Sequence, residues 1–404
     1  MRAYERFLNY VQYDTASDES SPTCPSTKKQ LVLAEALAAE MKAMGIADAR
    51  VDANGYVYGS IPANAKNRPS IGLIAHMDVV DCVPSAPVKP AIIEDYDGGA
   101  VRLAGGDVLD PAVFPAVAAA KGKHLIVTDG TTSLGADDKA GVAEIMTACE
   151  ILLSRPELKH GRVCIGFTPD EEIGRGADRF DVAGFGASYA YTVDGGAVGG
   201  INYENFNAAS GRVTVRGRSV HPGSAKNIML NASLVAAEFI GLLPPAERPE
   251  HTEGYEGFFH LTGMRGEEEQ ASLDYIIRDH DRVRFEARKE QFQDVAAYLN
   301  GKYGAGTVEV EIKDSYYNMR EMIEPRMEIV RRAEAAYRAV GVEPWSEPIR
   351  GGTDGARLTF MGLPTPNLAT GGMNCHGRFE CVAVEDMDAM TDVLVHLLTD
   401  EYHS

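Results

Sequence analysis

SIGLIAHMDVV, Ser70 to Val80, carries an apolar run from Ile71 to Ala75 that stops at His76, with Asp78 two residues on. A short, continuously apolar run bounded by turn signals reads as a strand buried on both faces, as in a parallel sheet. Open α/β sheets place their chemistry at the carboxyl ends of such strands. If His76 continues the strand geometry, Asp78 projects to the same side, because side chains alternate with period two. A carboxylate there can accept the second ring N–H of the histidine and make its other nitrogen a better metal ligand. Taken alone, His-x-Asp fits an ordinary strand-end histidine equally well.

The same pattern recurs downstream. Leu125 to Val127 leads through a glycine-containing loop to Asp137-Asp138, which open an apolar helix where negative charge is favourable. Arg162 to Phe167 runs into Thr168-Pro169-Asp170-Glu171-Glu172, and Tyr189 to Val193 ends at Asp194-Gly195-Gly196. A late glycine-rich loop, Gly371 to Gly377, carries His376. Each of these segments also has a bland reading: a capped helix, a solvated acidic turn. Together they assemble two histidines and several carboxylates at strand-end loops. Imidazole with carboxylate suits zinc or a similar first-row ion. One bridging carboxylate can hold two such ions, and a neighbouring acid outside the ligand set can move the proton of an attacking water. The Glu171-Glu172 pair supplies acids for both jobs.

Upstream, residues 4–14 read as a short helix, and a second opens at Pro25-Ser26-Thr27 and closes at Gly45. From Pro84 to Leu125 the pattern is poor and suggests a long excursion over a sheet edge. Beyond about residue 205 the character changes. Arg212 to Gly217 alternates, and strands at 257–264, 274–279 and 307–313 interleave with helices near 230–240 and 282–299. That β-α-β-β-α-β order predicts a ferredoxin-like insertion. The expected division is a catalytic α/β domain, residues 1–205 and 316–404, with a mixed central sheet flanked by helices. The α+β insertion covers 206–315.

The chain has 404 residues and a formal net charge of -20, which disfavours nucleic acid and anionic membrane surfaces as partners. No window reaches the roughly 20 apolar residues of a membrane span. The N-terminal stretch lacks the apolar core of a signal peptide. Six scattered cysteines without a CxxC pair read as free thiols, and the cytoplasm is the expected compartment.

The motifs AHMD, GADDKAG, TPDEE, YTVDGG, HPG and NCHG occur in the order and approximate spacing of the co-catalytic dizinc peptidases, the family that includes carboxypeptidase G, carnosinases and aminoacylases. Within it the chain resembles the tripeptide aminopeptidases, through NYENFNAAS, EGYEGF, YIIRD, DSYYNMRE and PIRGGTDGA. The resemblance runs nearly end to end. It implies two zinc ions per subunit: His76 and Asp194 on one, Glu172 and His376 on the other, with Asp137 bridging. The choice of Asp137 over Asp138 rests on the family pattern, which also has a cis peptide after that aspartate. Glu171 would be general base and then general acid for a metal-bridged water, and Asp78 would orient His76. His221, in the insertion, would stabilise the oxyanion. Arg278 and Arg350 would take the substrate's free carboxylate, since a guanidinium fork binds carboxylates bidentately. The implied substrate is a short peptide, cut behind its N-terminal residue. A dipeptidase, a carboxypeptidase, an N-acyl amino acid deacylase and a non-catalytic metal-binding protein are the alternatives. The inserted domain would also serve as a lid and could form a homodimer.

Overall fold

Ile71–His76 is a fully buried strand at the middle of a seven-stranded mixed sheet in a computed structural model that describes residues 1–399. Its neighbours are Val163–Thr168 and Tyr189–Val193, both parallel to it. Outward on one side come Val57–Ile61 and Arg50–Val51, both antiparallel to their neighbours; on the other come Asn367–Leu368 and Ile201–Asn202. The three parallel strands are buried at every position, which is why they read as unbroken apolar runs. Being parallel, they present their carboxyl ends together, and those ends carry His76, Glu171 and Asp194.

One apolar cluster joins Tyr58, Ile74, Cys164 and Ala190 of this sheet to Phe180, Phe185 and Leu358. The helix Ala136–Ser154 packs on the strand Ile71–His76 and between the helices Ala3–Tyr10 and Val384–Leu398. It approaches the sheet so closely that a Cβ on Gly141 would lie 2.0 Å from the carbonyl oxygen of Val193. A glycine is needed there to seat the helix and its acidic first turn against the strand end.

Three expectations are corrected. Leu125–Val127 belongs to a separate four-stranded sheet with Ala91–Ile93, Cys381–Ala383 and Gly372–Met373. The 84–125 excursion builds its own small core there, around Tyr96, Leu109, Val117 and Leu125. The first helix is shorter than expected, Ala3–Tyr10, and the second begins at Gln30 instead of Pro25. Residues ahead of Gln30 are drawn out of helical geometry by tertiary bonds: Ser26 donates to Asp170 and Thr27 to the carbonyl of Ala16.

The chain divides into two compact units. The first holds residues 1–203, 321–347 and those from Thr353 on; the second holds Glu204–Arg320 and Pro348–Gly352. The second unit is therefore wider than 206–315, and it includes Arg350. Its four antiparallel strands lie in the order Phe258–Gly266, Gln270–Asp279, Asn207–Arg216, Val308–Tyr316. With the helices Ala232–Leu242 and Arg282–Tyr303 this is the ferredoxin-like arrangement. Helices and sheet bury Phe239, Phe259, Phe285 and Phe292 between them. Among the described residues no helix is long and apolar enough to cross a membrane, and all six cysteines are unpaired.

Candidate metal centre

Five strand-end and loop residues of the first unit converge into two overlapping donor groups. His76, Asp137 and Asp194 form one; Asp137, Glu172 and His376 form the other. Asp137 presents Oδ1 to His76 Nε2 at 2.9 Å and Oδ2 to His376 Nε2 at 3.1 Å. Glu172 Oε2 lies 2.9 Å from His376 Nε2, and Asp194 Oδ1 lies 3.7 Å from His76 Nε2. Each half thus has one imidazole, one carboxylate of its own and one oxygen of a shared carboxylate.

The backbone explains how two adjacent aspartates take different work. The Asp137–Asp138 peptide is cis. Asp137 faces the two imidazoles, while Asp138 turns into the interior and accepts the backbone N–H of His76 at 3.0 Å. Asp78 serves the neighbouring loop. Its carboxylate accepts the N–H groups of Glu171 at 2.9 Å and Glu172 at 3.2 Å. It also lies 3.5 Å from His76 Nδ1, but the nearer partner of that nitrogen is the Asp78 carbonyl oxygen, at 3.1 Å. One buried acid therefore sets both the glutamate loop and, through its main chain, the histidine ring.

Three further acids support the centre: Asp170 stands inside TPDEE and Asp354 inside PIRGGTDGA, while Glu380 lies outside the quoted motifs. Glu380 accepts the backbone N–H groups of Leu134 at 2.8 Å, Gly135 at 2.7 Å and Asp137 at 2.9 Å. Asp170 accepts from the Ser26 N–H and the Gln30 side chain, both at 2.7 Å, tying the glutamate loop to the N-terminal segment. Asp354 accepts from the Thr168 hydroxyl at 2.9 Å, at the end of the strand that leads to Glu171. For Glu380 the hint in the sequence is its place four residues after His376.

Charge balance is the dominant feature. Burial pushes the Glu171 carboxyl well above the usual carboxylate range; His76 opposes the shift and Asp194 adds to it. Burial likewise raises Glu172 to about 7 and Asp354 to about 7. Hydrogen bonds donated by its ring to the Asp137 and Glu172 carboxylates lift His376 to about 11. Asp137 moves the other way: burial opposes its ionisation, but the two imidazoles hold it below the usual range. Among the described residues Glu172 Oε1 is buried without any hydrogen-bond partner. A buried carboxylate oxygen left unpaired is costly, and a cation is the group that answers it. The donor set fits a pair of divalent ions.

Glu380→Gln keeps the shape and removes the charge that gathers three N–H groups. We expect it to weaken metal affinity about 10–100-fold, as loss of a partner behind the ligands does. Equilibrium dialysis against a metal buffer measures this, with circular dichroism checking that the fold is kept.

The remaining expected site residues lie in the second unit. His221 precedes the turn Pro222–Ser224, is exposed, and accepts the Gly223 N–H on Nδ1 at 3.1 Å, which leaves Nε2 outward. Arg278 donates through Nη1 to the carbonyls of Ala209 and Ile277 and lies over the Tyr316 ring. Arg350 donates to the carbonyls of Gly254 at 2.7 Å and Glu256 at 2.9 Å and to both oxygens of Thr252, with Phe206 and Phe258 beneath it. Its donors staple the 252–256 loop. Arg278 keeps more of its fork free for a carboxylate. His124, His160, His251, His260, His280 and His396 join neither donor group; His403 lies outside the described residues.

The model of peptidase family M20/M25/M40 matches residues 134–400. A peptidase T of Clostridium perfringens is 55% identical over 398 residues, covering 98% of each chain. A peptidase T of a Geobacillus species is 53% identical over 397 residues, covering 98% of this chain and 97% of its own. Among solved structures, the aminopeptidase PepT of Bacillus cereus superposes with a TM-score of 0.79 at 24% identity, over 98% of this chain and 97% of that one. A tripeptidase of Staphylococcus aureus gives 0.78 at 22%, with the same coverages.

Proposed function

The chain belongs to peptidase family M20/M25/M40, and from that premise we propose that it is a dinuclear metallo-aminopeptidase that removes the N-terminal residue from tripeptides. The observation that carries the reading is Asp137, whose two oxygens face two different imidazoles. His76 and Asp194 would hold one ion, Glu172 and His376 the other, and Asp137 both. Zinc suits two imidazoles with three carboxylates. Bound there, the ions would lower the pKa of a water and polarise the scissile carbonyl.

The chain's own residues do the rest. Glu171, adjacent to the ligand Glu172 but outside both donor groups, takes the proton of the attacking water and returns it to the leaving amine. Its N–H bond to Asp78 fixes the loop from which it works. His221, with Nε2 outward, is the donor for the developing oxyanion. Arg278 takes the free carboxylate of the substrate, and its fork, engaged through Nη1 alone, supports that role better than that of Arg350, engaged through both Nη1 and Nη2. The six unpaired thiols support a reducing compartment, the cytoplasm.

The test is a length series of unblocked peptides with one common N-terminal residue. Tripeptides should have the highest kcat/KM, and amidation of the C-terminus should lower it at least about tenfold through the lost guanidinium pairing. Preference for dipeptides, release of the C-terminal residue, or faster cleavage of N-acyl amino acids would replace this reading by another activity.

A further inference from the structure

The two imidazoles of the metal centre are held in unlike ways. His76 ends a strand, its side chain is 2% exposed, and its Nδ1 meets the Asp78 carbonyl oxygen at 3.1 Å. His376 stands in a loop with 51% of its side chain exposed, so packing alone does not fix it. Its backbone lies in the left-handed region, φ 63°, which a residue other than glycine keeps only where its surroundings impose it.

Those surroundings are a hairpin. Gly372 pairs with Val382 and Met373 with Cys381 in the small four-stranded sheet, so residues 374–380 form a closed loop around His376. Across the base of the loop Asn374 Nδ2 donates to the Phe379 carbonyl oxygen at 3.1 Å, with Cys381 Sγ 3.9 Å away. Asn374 is itself left-handed, φ 56°, a conformation asparagine tolerates better than most residues. Two other contacts span this stretch, both longer than the amide bond. The Glu380 N–H reaches the Gly377 carbonyl at 3.3 Å, and Cys82 Sγ comes to 3.9 Å from the His376 carbonyl. The far arm of the loop is anchored outside it. The Phe379 ring lies 4.7 Å from the Phe114 ring, and the Glu380 carboxylate gathers the N–H groups of Leu134, Gly135 and Asp137. The Asn374 amide carries that fixed point across to the residue two before His376.

We propose that Asn374 is a positioning residue for one of the two metal ions. Its amide closes the loop and so sets His376 Nε2 opposite Asp137 Oδ2 and Glu172 Oε2, 3.1 and 2.9 Å away. The inference rests on the proposed reading of His376 as a ligand, and adds what holds that ligand in place. Asn374 belongs to neither donor group, so its loss should act on the His376 half and spare the half built on His76 and Asp194.

Stepwise zinc titration of the metal-free full chain against a metal buffer tests this. Asn374→Gly keeps the left-handed backbone and removes the amide. It should weaken one of the two binding steps about 10–100-fold, as loss of a partner behind a ligand does, and leave the other within about twofold. Asn374→Asp, which turns a carboxylate oxygen toward the Phe379 carbonyl, should weaken the same step at least as much. In His376→Ala one ion should remain, and adding Asn374→Gly should leave its affinity within about twofold, because the ligand through which the amide acts is already gone. Both steps unchanged in Asn374→Gly, both weakened alike, or a further loss in the His376→Ala background overturns the proposal. Two ions bound at full strength in His376→Ala overturn the ligand assignment itself, and the proposal with it.

Discussion

Glu171→Gln is expected to lower kcat on a tripeptide by at least about 10²-fold while leaving KM and the metal content nearly unchanged. The residue takes no part in either donor group, so the substitution should not release metal. Its backbone N–H is held by Asp78 whatever its side chain, so the loop and the neighbouring Glu172, the proposed ligand, should stay in position. What the amide cannot do is accept the proton of the attacking water. The loss corresponds to about 3 kcal/mol of transition-state stabilisation at 1.36 kcal/mol per decade. Steady-state kinetics and metal analysis of one preparation check both halves of the statement. A fall in metal content equal to the fall in rate would reassign Glu171 to the ligand set.

Asp137→Ala is expected to be more severe, because this carboxylate alone belongs to both groups. Removing His376 takes a ligand from one half only; removing Asp137 takes one from each. It also leaves the His76 and His376 imidazoles without their shared partner in a crowd of acids. We expect metal analysis to read below one ion per chain for Asp137→Ala and close to one for His376→Ala. Activity should fall at least about 10³-fold in Asp137→Ala, the scale of the several kcal/mol that metal ions supply to a developing negative charge. Asp138→Asn, by contrast, should retain both ions, since its carboxylate accepts the N–H of His76 instead of facing the imidazoles.

The parallel strands were readable because burial on both faces leaves an unbroken apolar run, and each run ends where its acid or histidine stands. The ferredoxin-like unit was readable because its strands alternate and its helices repeat with their own period. What stayed hidden depends on contacts between distant residues. Glu380 lies some 240 residues beyond the N–H groups it gathers, and nothing in its neighbourhood marks it as their acceptor. Asp170 stands inside the TPDEE motif, yet its partners are Ser26 and Gln30. The sheet that holds Leu125–Val127 is built from strands of two or three residues, too short for any period to register. Arg350 showed a guanidinium in the sequence, but not the loop carbonyls that fill it.

His376 and Glu380 enter the polypeptide long after His76, Asp137, Glu172 and Asp194. Until they are made, Asp137 has one imidazole instead of two, and the N–H groups of Leu134, Gly135 and Asp137 have no carboxylate to gather them. A chain that stops short of His376 therefore lacks one of the two imidazoles of the donor groups.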